Sequence, residues 1–456
     1  MKVNSIYLSV VLLCLNLLSC NKKEFLDERP NSEVFVPTTL EDFQMLLDND
    51  AVLGVTPVLG ELSADNFYIT ADFWQQLGTK EKNAYIWLPD IYNGESNITD
   101  WNTPYKQVLY ANVVLDGLKK VPVTSSNRQQ WNNIKGAALF IRAYAFYNLA
   151  QVFALPYNPA TAGEDLGIPL KLTPNVDEAI QRSKLAETYD QILNDLLEAK
   201  SLLPESIPTN NRNRPNKPAA LAQLARVYLS MYNYDKAGAY ADSCLQLYRE
   251  LIDYNTRDIS STRPFTKDNA ETLYPGKFVV TNVLIGIPVC FVDSTLFKAY
   301  ALNDLRRSLF FIASSGRYYL KGSYNGTAFP FTGLATDEMY LVRAECRARS
   351  ENIDGAMEDL NYLLQRRWKT GTFASLSAPT SDSALKLILI ERRKEMPCRG
   401  VRWTDIRRLN LESPDIRPMR MLYNQPYTLP VNSPLYALPI PPDAMLMGHY
   451  EDNIRP

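Results

Sequence analysis

Histidine is almost missing from these 456 residues: His449 is the only one. Zinc sites built on several imidazoles are therefore excluded. A Ser-His-Asp triad would rest on one residue in an end segment, where a surface role fits better. Cysteine is scarce as well, with six residues in all. Cys14 and Cys20 fall near the start. Cys244, Cys290, Cys346 and Cys398 are far apart and show no C-x-x-C spacing. That pattern argues against a disulfide scaffold and for buried free thiols. There is no G-x-S-x-G, no P-loop and no G-x-G-x-x-G. Neither charge dominates: 48 Lys and Arg face 50 Asp and Glu, for a net charge of −2. No basic block stands out, so nucleic acid is not an expected partner. After residue 20 no apolar run is long enough to cross a bilayer. No cofactor and no metal site is expected.

What is present begins at the first residues. Lys2 precedes an apolar run from Ile6 to Leu18, which stops at Leu17-Leu18-Ser19-Cys20. A basic start, a short apolar run and a small residue at the break form an export signal. Leu-x-Ser-Cys at that break has the form of a lipobox, so Cys20 is expected to carry lipid after removal of residues 1–19. The alternative is an ordinary secretory signal with a coincidental cysteine. The position of Cys20, at the end of the run and before Asn21-Lys22-Lys23, favours the lipid anchor, which multiple acyl chains make stable.

Beyond the anchor, residues 20–456 read as a single, mainly α-helical domain with irregular insertions. Residues 20–100 form a tether and a loop-rich region that includes a short amphipathic helix, Leu40 to Leu47. Residues 101–251 are helical. Trp101, Tyr105, Val108, Leu109 and Asn112 follow a 3.6 period, and Trp131 to Phe153, Ser183 to Leu203, Pro218 to Leu229 and Tyr234 to Leu247 are further helices. Ala137, Ala138, Ala143 and Ala145 would let a neighbouring helix approach closely. Residues 252–335 lose the period and read as an insertion of loops and short strands, such as Phe278-Val279-Val280. Residues 336–410 return to helices, at Asp337 to Ser350, Ile353 to Arg367 and Ser381 to Glu395. Residues 411–456 are irregular.

A weak repeat links two helical hairpins. Leu221-x3-Ala225-Arg226 with Asp235-x-Ala237 aligns with Tyr340-x3-Ala344-Glu345 with Asp354-x-Ala356. Small residues on one helix, an alanine on the next and a turn between them are the mechanics of a tetratricopeptide unit. The spacing of the two hairpins is not a multiple of ~34 residues. Units scattered through one body are therefore expected, not an uninterrupted solenoid; a generic helical bundle is the alternative.

Taken together, these segments resemble the SusD/RagB family of outer-membrane nutrient-binding lipoproteins. The resemblance rests on Cys20 followed by Phe25-Leu26-Asp27, and on Trp101-x3-Tyr105 with Ala111-Asn112. It continues through Arg142-Ala143-Tyr144-x-Phe146-Tyr147, the Tyr189 to Pro204 segment, Ala219 to Leu229 and Asp337 to Glu345. Glu391-Arg392-Arg393-x-Glu395 with Gly400-x-Arg402-Trp403-x-Asp405-x2-Arg408 is its most recognisable block, and Leu438-Pro439-Ile440-Pro441 closes it. Pro397-Cys398-Arg399 and the tail after Pro441 depart from the family pattern. The resemblance implies a SusD-like fold and a non-catalytic protein lipid-anchored on the outer-membrane surface. It also implies a SusC-type TonB-dependent transporter as partner, touched by the repeat helices, with an oligosaccharide ligand held on the opposite face. Peptide ligands, a lipid-anchored glycoside hydrolase using two carboxylates, and a scaffold that binds only proteins are the competing readings.

No family motif fixes ligand contacts, so candidates come from the loops, where binding residues concentrate. Tyrosine is abundant, with 27 residues against 6 Trp, and both offer flat apolar faces with a polar edge suited to sugar rings. Asp65, Asn66, Trp74, Tyr85, Trp87 and Tyr92 stand in the first loop region; Tyr318, Tyr319, Tyr324 and Asn325 stand in the second. Trp101, Trp131 and Trp403 are assigned to packing. The arginine-rich stretch from Glu391 to Arg408 has two readings, an anion site and a salt-bridge network pinning the last helix to the body; the network is favoured.

Overall fold

Apolar spacing and capping residues place ten helices of eight or more residues among the described part of the chain. In this computed structural model that part is residues 37–281, 283, 290–321 and 324–455. Cys20 and the segment before it lie outside it. The helices are α1 (Leu40–Leu47), α2 (Thr99–Leu118), α3 (Arg128–Phe153), α4 (Leu185–Leu202) and α5 (Lys217–Ser230), followed by α6 (Tyr234–Leu247), α7 (Thr336–Arg349), α8 (Ile353–Gln365), α9 (Ser381–Glu395) and α10 (Arg402–Glu412). Side chains cap the starts of α1, α5, α6, α8 and α9. Thr39 Oγ1 accepts from the Asp42 amide while the Asp42 carboxylate accepts from the Thr39 amide, a reciprocal cap on α1. Asn216 caps α5, with Pro218 in its first turn.

The helices pack in sequence order. α2 lies on α3, α3 on α4, α4 on α5, α5 on α6, α6 on α7, and α7 on α8 and α9. α3 is buried along most of its length, and its small residues permit this, as read from the sequence. A Cβ at Gly136 would stand 3.0 Å from Leu202 Cβ. The two hairpins of the weak repeat share one turn. Tyr232 and Glu351 take left-handed backbone, φ 61° and 64°. Asn233 and Asn352 follow them and cap the next helix through the Lys236 and Gly355 amides.

The two hairpins are separated along the chain and belong to one helical body, as expected: α6 packs directly on α7, and residues 248–335 leave the stack and return to it. The contact is close, since a Cβ at Gly238 would lie 2.9 Å from Cys346 Cβ.

The irregular regions are held by short two-stranded pairings. Val55–Thr56 runs parallel to Lys277–Phe278, and Phe67–Ile69 runs antiparallel to Cys290–Val292. Phe311–Ser314 and Arg317–Leu320 form a hairpin, and Met419–Leu422 and Gln425–Thr428 form another. Each pairing is too short to be stable alone and depends on packing against the helices. Cys244, Cys346 and Cys398 are buried thiols and Cys290 is half-buried; none is bonded to another. Two of the four sit in helices, Cys290 in a strand and Cys398 in a turn. Among the described residues no helix is long and apolar enough to cross a membrane.

The Glu391 to Arg408 stretch is a salt-bridge network. Arg306 meets Asp304, Glu391 and Glu395. Arg367 joins Glu395 to Glu271. Arg392 bonds Asp405 and Glu338, and Arg408 bonds Asp405 and Glu345. α10 therefore buries Arg402, Asp405, Arg407 and Arg408 by pairing or hydrogen-bonding their charges, not by presenting an apolar stripe.

Candidate ligand-binding face

Strand pairing joins the two loop regions. Phe67 opposes Val292, Tyr68 opposes Phe291 and Ile69 opposes Cys290. On one face of this pair the Tyr68 and Phe291 rings stack at 5.2 Å, Tyr319 leans on Phe291 at 4.9 Å and the Arg317 guanidinium covers the same ring at 4.6 Å. Phe291 and Tyr319 are buried, Tyr68 is half-buried and Arg317 is exposed. The outer layer of this face is thus one aromatic ring and one guanidinium, held by a buried aromatic floor. Alternation along the strand turns Tyr318 the other way, where it stacks on Phe297 at 3.4 Å, with Arg307 over Phe297 at 4.8 Å. The helix Ala71–Gln75 follows Ile69 closely and carries Trp74. That ring is half-buried, its Nε1–H donating to the Lys82 carbonyl at 3.0 Å and the Lys82 ammonium lying 5.1 Å from its centre.

Polar residues at the base of this face are committed to one another. Asp65 takes both arms of the Arg402 guanidinium, at 2.6 and 2.8 Å, and faces Arg393 at 3.5 Å. Burial opposes the Asp65 charge, but Arg402 and Arg393 outweigh it and hold the carboxyl well below the usual carboxylate range. Asn66 Oδ1 accepts from Arg393 Nε at 2.9 Å.

Several sequence candidates are corrected by their burial. Asn66, Tyr85, Trp87, Tyr92, Tyr319 and Tyr324 are all buried, so none offers an open face or edge to a ligand. Tyr85 OH accepts from the Ile69 amide, and Arg420 lies over the Tyr85 and Trp87 rings. Trp87 donates to Ser63 O and Tyr92 OH to Pro439 O. Tyr324 donates to Glu271 deep in the ion-pair network. Of the ten loop candidates, Asp65, Trp74, Tyr318 and Asn325 keep some exposure. Asn325 Oδ1 accepts from the Thr327 amide and hydroxyl. Sequence reasoning missed Tyr68 and Arg317; alternation in Phe67-Tyr68-Ile69 was the available signal. Trp101 and Trp403 are buried packing residues, as read. Trp101 helps floor a separate cleft of about 630 Å³ between α2, residues 171–180 and the helix Pro442–Gly448, with Tyr105 and Tyr450 beside it.

The sequence matches known families in two blocks. Residues 24–229 match a family model described as starch-binding associating with outer membrane, and residues 320–444 match the SusD family model. The chain belongs to the SusD/RagB family. A SusD-like protein P2 from Formosa agariphila is 23% identical, over 73% of this chain and 77% of its own. Among solved structures, a SusD superfamily protein from Bacteroides thetaiotaomicron superposes with a TM-score of 0.74 at 22% identity, covering 91% of this chain and 100% of its own. A SusD-like carbohydrate binding protein from Bacteroides vulgatus gives 0.67 at 18% identity, over 91% and 97%. This SusD-like chain therefore shares its overall fold with proteins already seen by crystallography.

Proposed function

We propose that this SusD-like protein is a lipid-anchored outer-membrane surface protein that captures an oligosaccharide and passes it to a SusC-type TonB-dependent transporter. The family matches support the outer-membrane setting, and the export signal ending at Cys20 supports the anchor. One observation carries the ligand assignment: the 67–69 and 290–292 pairing places Tyr68 and Arg317 over a shared aromatic floor, with Trp74 and Tyr318 on the adjoining elements. A ring face beside a guanidinium suits a sugar, whose C–H faces stack and whose hydroxyls accept hydrogen bonds. The reading is non-catalytic. Asp65 is engaged by two arginines and Asp293 by the Leu296 amide it caps, so these two carboxylates act as structural partners and not as an acid and base for glycoside hydrolysis.

The test is affinity electrophoresis of the chain lacking residues 1–20 through gels containing a panel of polysaccharides. Retardation by one glycan, weakened in Tyr68→Ala and in Trp74→Ala, is expected. Retardation undiminished by both substitutions would move the site to the Trp101 cleft. No retardation by any glycan, with binding of peptides instead, would replace the ligand class.

A further inference from the structure

The ligand face carries charge of one sign. Between Ser294 and Lys321 the chain holds Lys298, Arg306, Arg307, Arg317 and Lys321 against a single acid, Asp304, in a protein whose net charge is −2. Asp304 and Arg306 are buried and paired with each other. Lys321 donates to the Ile259 and Ser308 carbonyls. Lys298 and Arg317 are exposed and Arg307 is half-buried, so the charge left within reach of a ligand is positive. Arg307 and Arg317 differ from the arginines around them. Arg306 meets three carboxylates, and Arg393 and Arg402 share Asp65. Arg307 and Arg317 lie over the Phe297 and Phe291 rings, at 4.8 and 4.6 Å. Among the described residues neither guanidinium has an ion-pair or hydrogen-bond partner. The residues from 282 to 289 and at 322 and 323 include no Asp or Glu. A guanidinium held on a ring face keeps its N–H edge for an incoming group.

Side-chain acceptors are the missing half. A neutral sugar presents hydroxyls that donate as well as accept, and a site for it supplies acceptors for those protons. At this face the acceptors are already taken. Asp65 is held by Arg402 and Arg393, and Asn66 Oδ1 accepts from Arg393. Asp293 accepts from the Leu296 amide and the Thr295 hydroxyl. Asp72 is exposed on the helix that bears Trp74, but Lys82 at the same ring offsets its charge. Donors without acceptors select a ligand group that only accepts. A carboxylate or a sulfate is such a group, and its oxygens match the guanidinium fork. Tyr68 and Arg317 both bear on Phe291, at 5.2 and 4.6 Å, close enough for a disaccharide to touch both.

We propose that the glycan taken by this face is acidic: an oligosaccharide bearing carboxylate or sulfate groups, stacked on Tyr68 and read by Arg317. Arg307 lies round the 311–320 hairpin, beside Phe297, and meets a charged group further along the same chain. This rests on the glycan reading above and narrows it to one class.

The test is affinity electrophoresis of the detergent-solubilised full-length chain against neutral glycans (amylopectin, xylan, galactomannan), uronate-bearing ones (polygalacturonate, alginate) and sulfated ones (carrageenan, fucoidan). Retardation by a charged glycan and by no neutral one is expected, weakening as sodium chloride is added. Carboxyl reduction or desulfation of the retarding glycan is expected to abolish the effect, and whichever does so identifies the anionic group. Arg317→Gln, with an unchanged melting temperature, is expected to weaken binding about ten-fold. Arg317→Lys is expected to fall between, because it keeps the charge and loses the fork. Retardation by a neutral glycan that depends on Tyr68 and not on Arg317 overturns the acidic assignment and leaves the glycan face standing. Retardation by an acidic glycan that Tyr68→Ala or Arg317→Gln leaves undiminished also overturns it. No retardation by any of the glycans overturns both readings together.

Discussion

Arg306 and Glu395 meet in the interior, Nη1 to Oε2 at 2.9 Å, with neither side chain exposed to solvent. The pair ties residues 252–335 to α9. Asp304 and Glu391 also hold Arg306, and Arg367 carries the chain of charges from Glu395 on to Glu271. The insertion that bears Phe291, Arg317 and Tyr318 is thus fastened to the helical stack by ion pairs at two points, Glu271 and Asp304 with Arg306.

Removing one partner of such a network leaves the others charged and buried. Arg306→Ala is expected to destabilise the fold by about 3–5 kcal/mol, measured by urea denaturation. Arg306→Lys should recover only part of this, because an ammonium cannot serve three carboxylates in a planar fork. A loss below about 1 kcal/mol would mean that the network behaves as a surface one.

The ligand face and the buried aromatics should respond oppositely. Tyr68→Ala is expected to weaken glycan binding about 2- to 12-fold, the worth of one aromatic contact, with little change in stability. Tyr92→Phe deletes the hydrogen bond to Pro439 O and should cost about 1 kcal/mol of stability with binding unchanged. The reverse pattern would exclude the face assigned to Tyr68.

Stability should fall as pH rises toward mild alkali. Burial lifts the Glu61 carboxyl from 4.5 to about 8 and the Asp100 carboxyl from 3.8 to about 6. Above their ordinary values the unfolded chain has lost protons that the folded chain still binds, so the slope of stability against pH is negative up to those raised values. The loss assigned to Glu61 is on the order of a few kcal/mol. Denaturation series across this window are expected to show a flatter slope in Glu61→Gln than in the parent. An identical slope in the two would show that Glu61 ionises normally in the fold.

The α6–α7 contact has its own probe. Gly238→Ala places a methyl 2.9 Å from Cys346 Cβ and should cost about 1–3 kcal/mol as overpacking. Gly163→Ala, with nothing within 4 Å of the added atom, is the control and should be near neutral by thermal melting.

The long helices could be read from the sequence because their burial is apolar and periodic. Leu193, Leu196 and Ala199 on α4 are examples. α10 could not be read the same way. Arg402, Asp405, Arg407 and Arg408 are buried through partners far along the chain, such as Asp65 and Glu345, and Gln151 and Ala154 carbonyls receive Arg407. A hydrophobic period cannot register such burial. The same distance effect misplaced Tyr85, Trp87 and Tyr92. They stand among turn residues and read as loop, yet Arg420 and Pro439 reach back from the other end of the chain to cover them. Tyr68 was overlooked because its strand has three residues, too few for alternation to stand out.

The direct packing of α6 on α7 across residues 248–335 also bears on how such a chain can change. Closing a flexible segment costs only ~0.6 kcal/mol more for each doubling of its length. That tolerance belongs to the exposed turns of the insertion, such as residues 258–263, and not to the segments that bury Tyr274, Phe278 and Phe297 in the core. Such turns can be lengthened or exchanged with almost no penalty to the scaffold, so one helical frame can vary its surface by splicing at a few points while its buried anchors stay fixed.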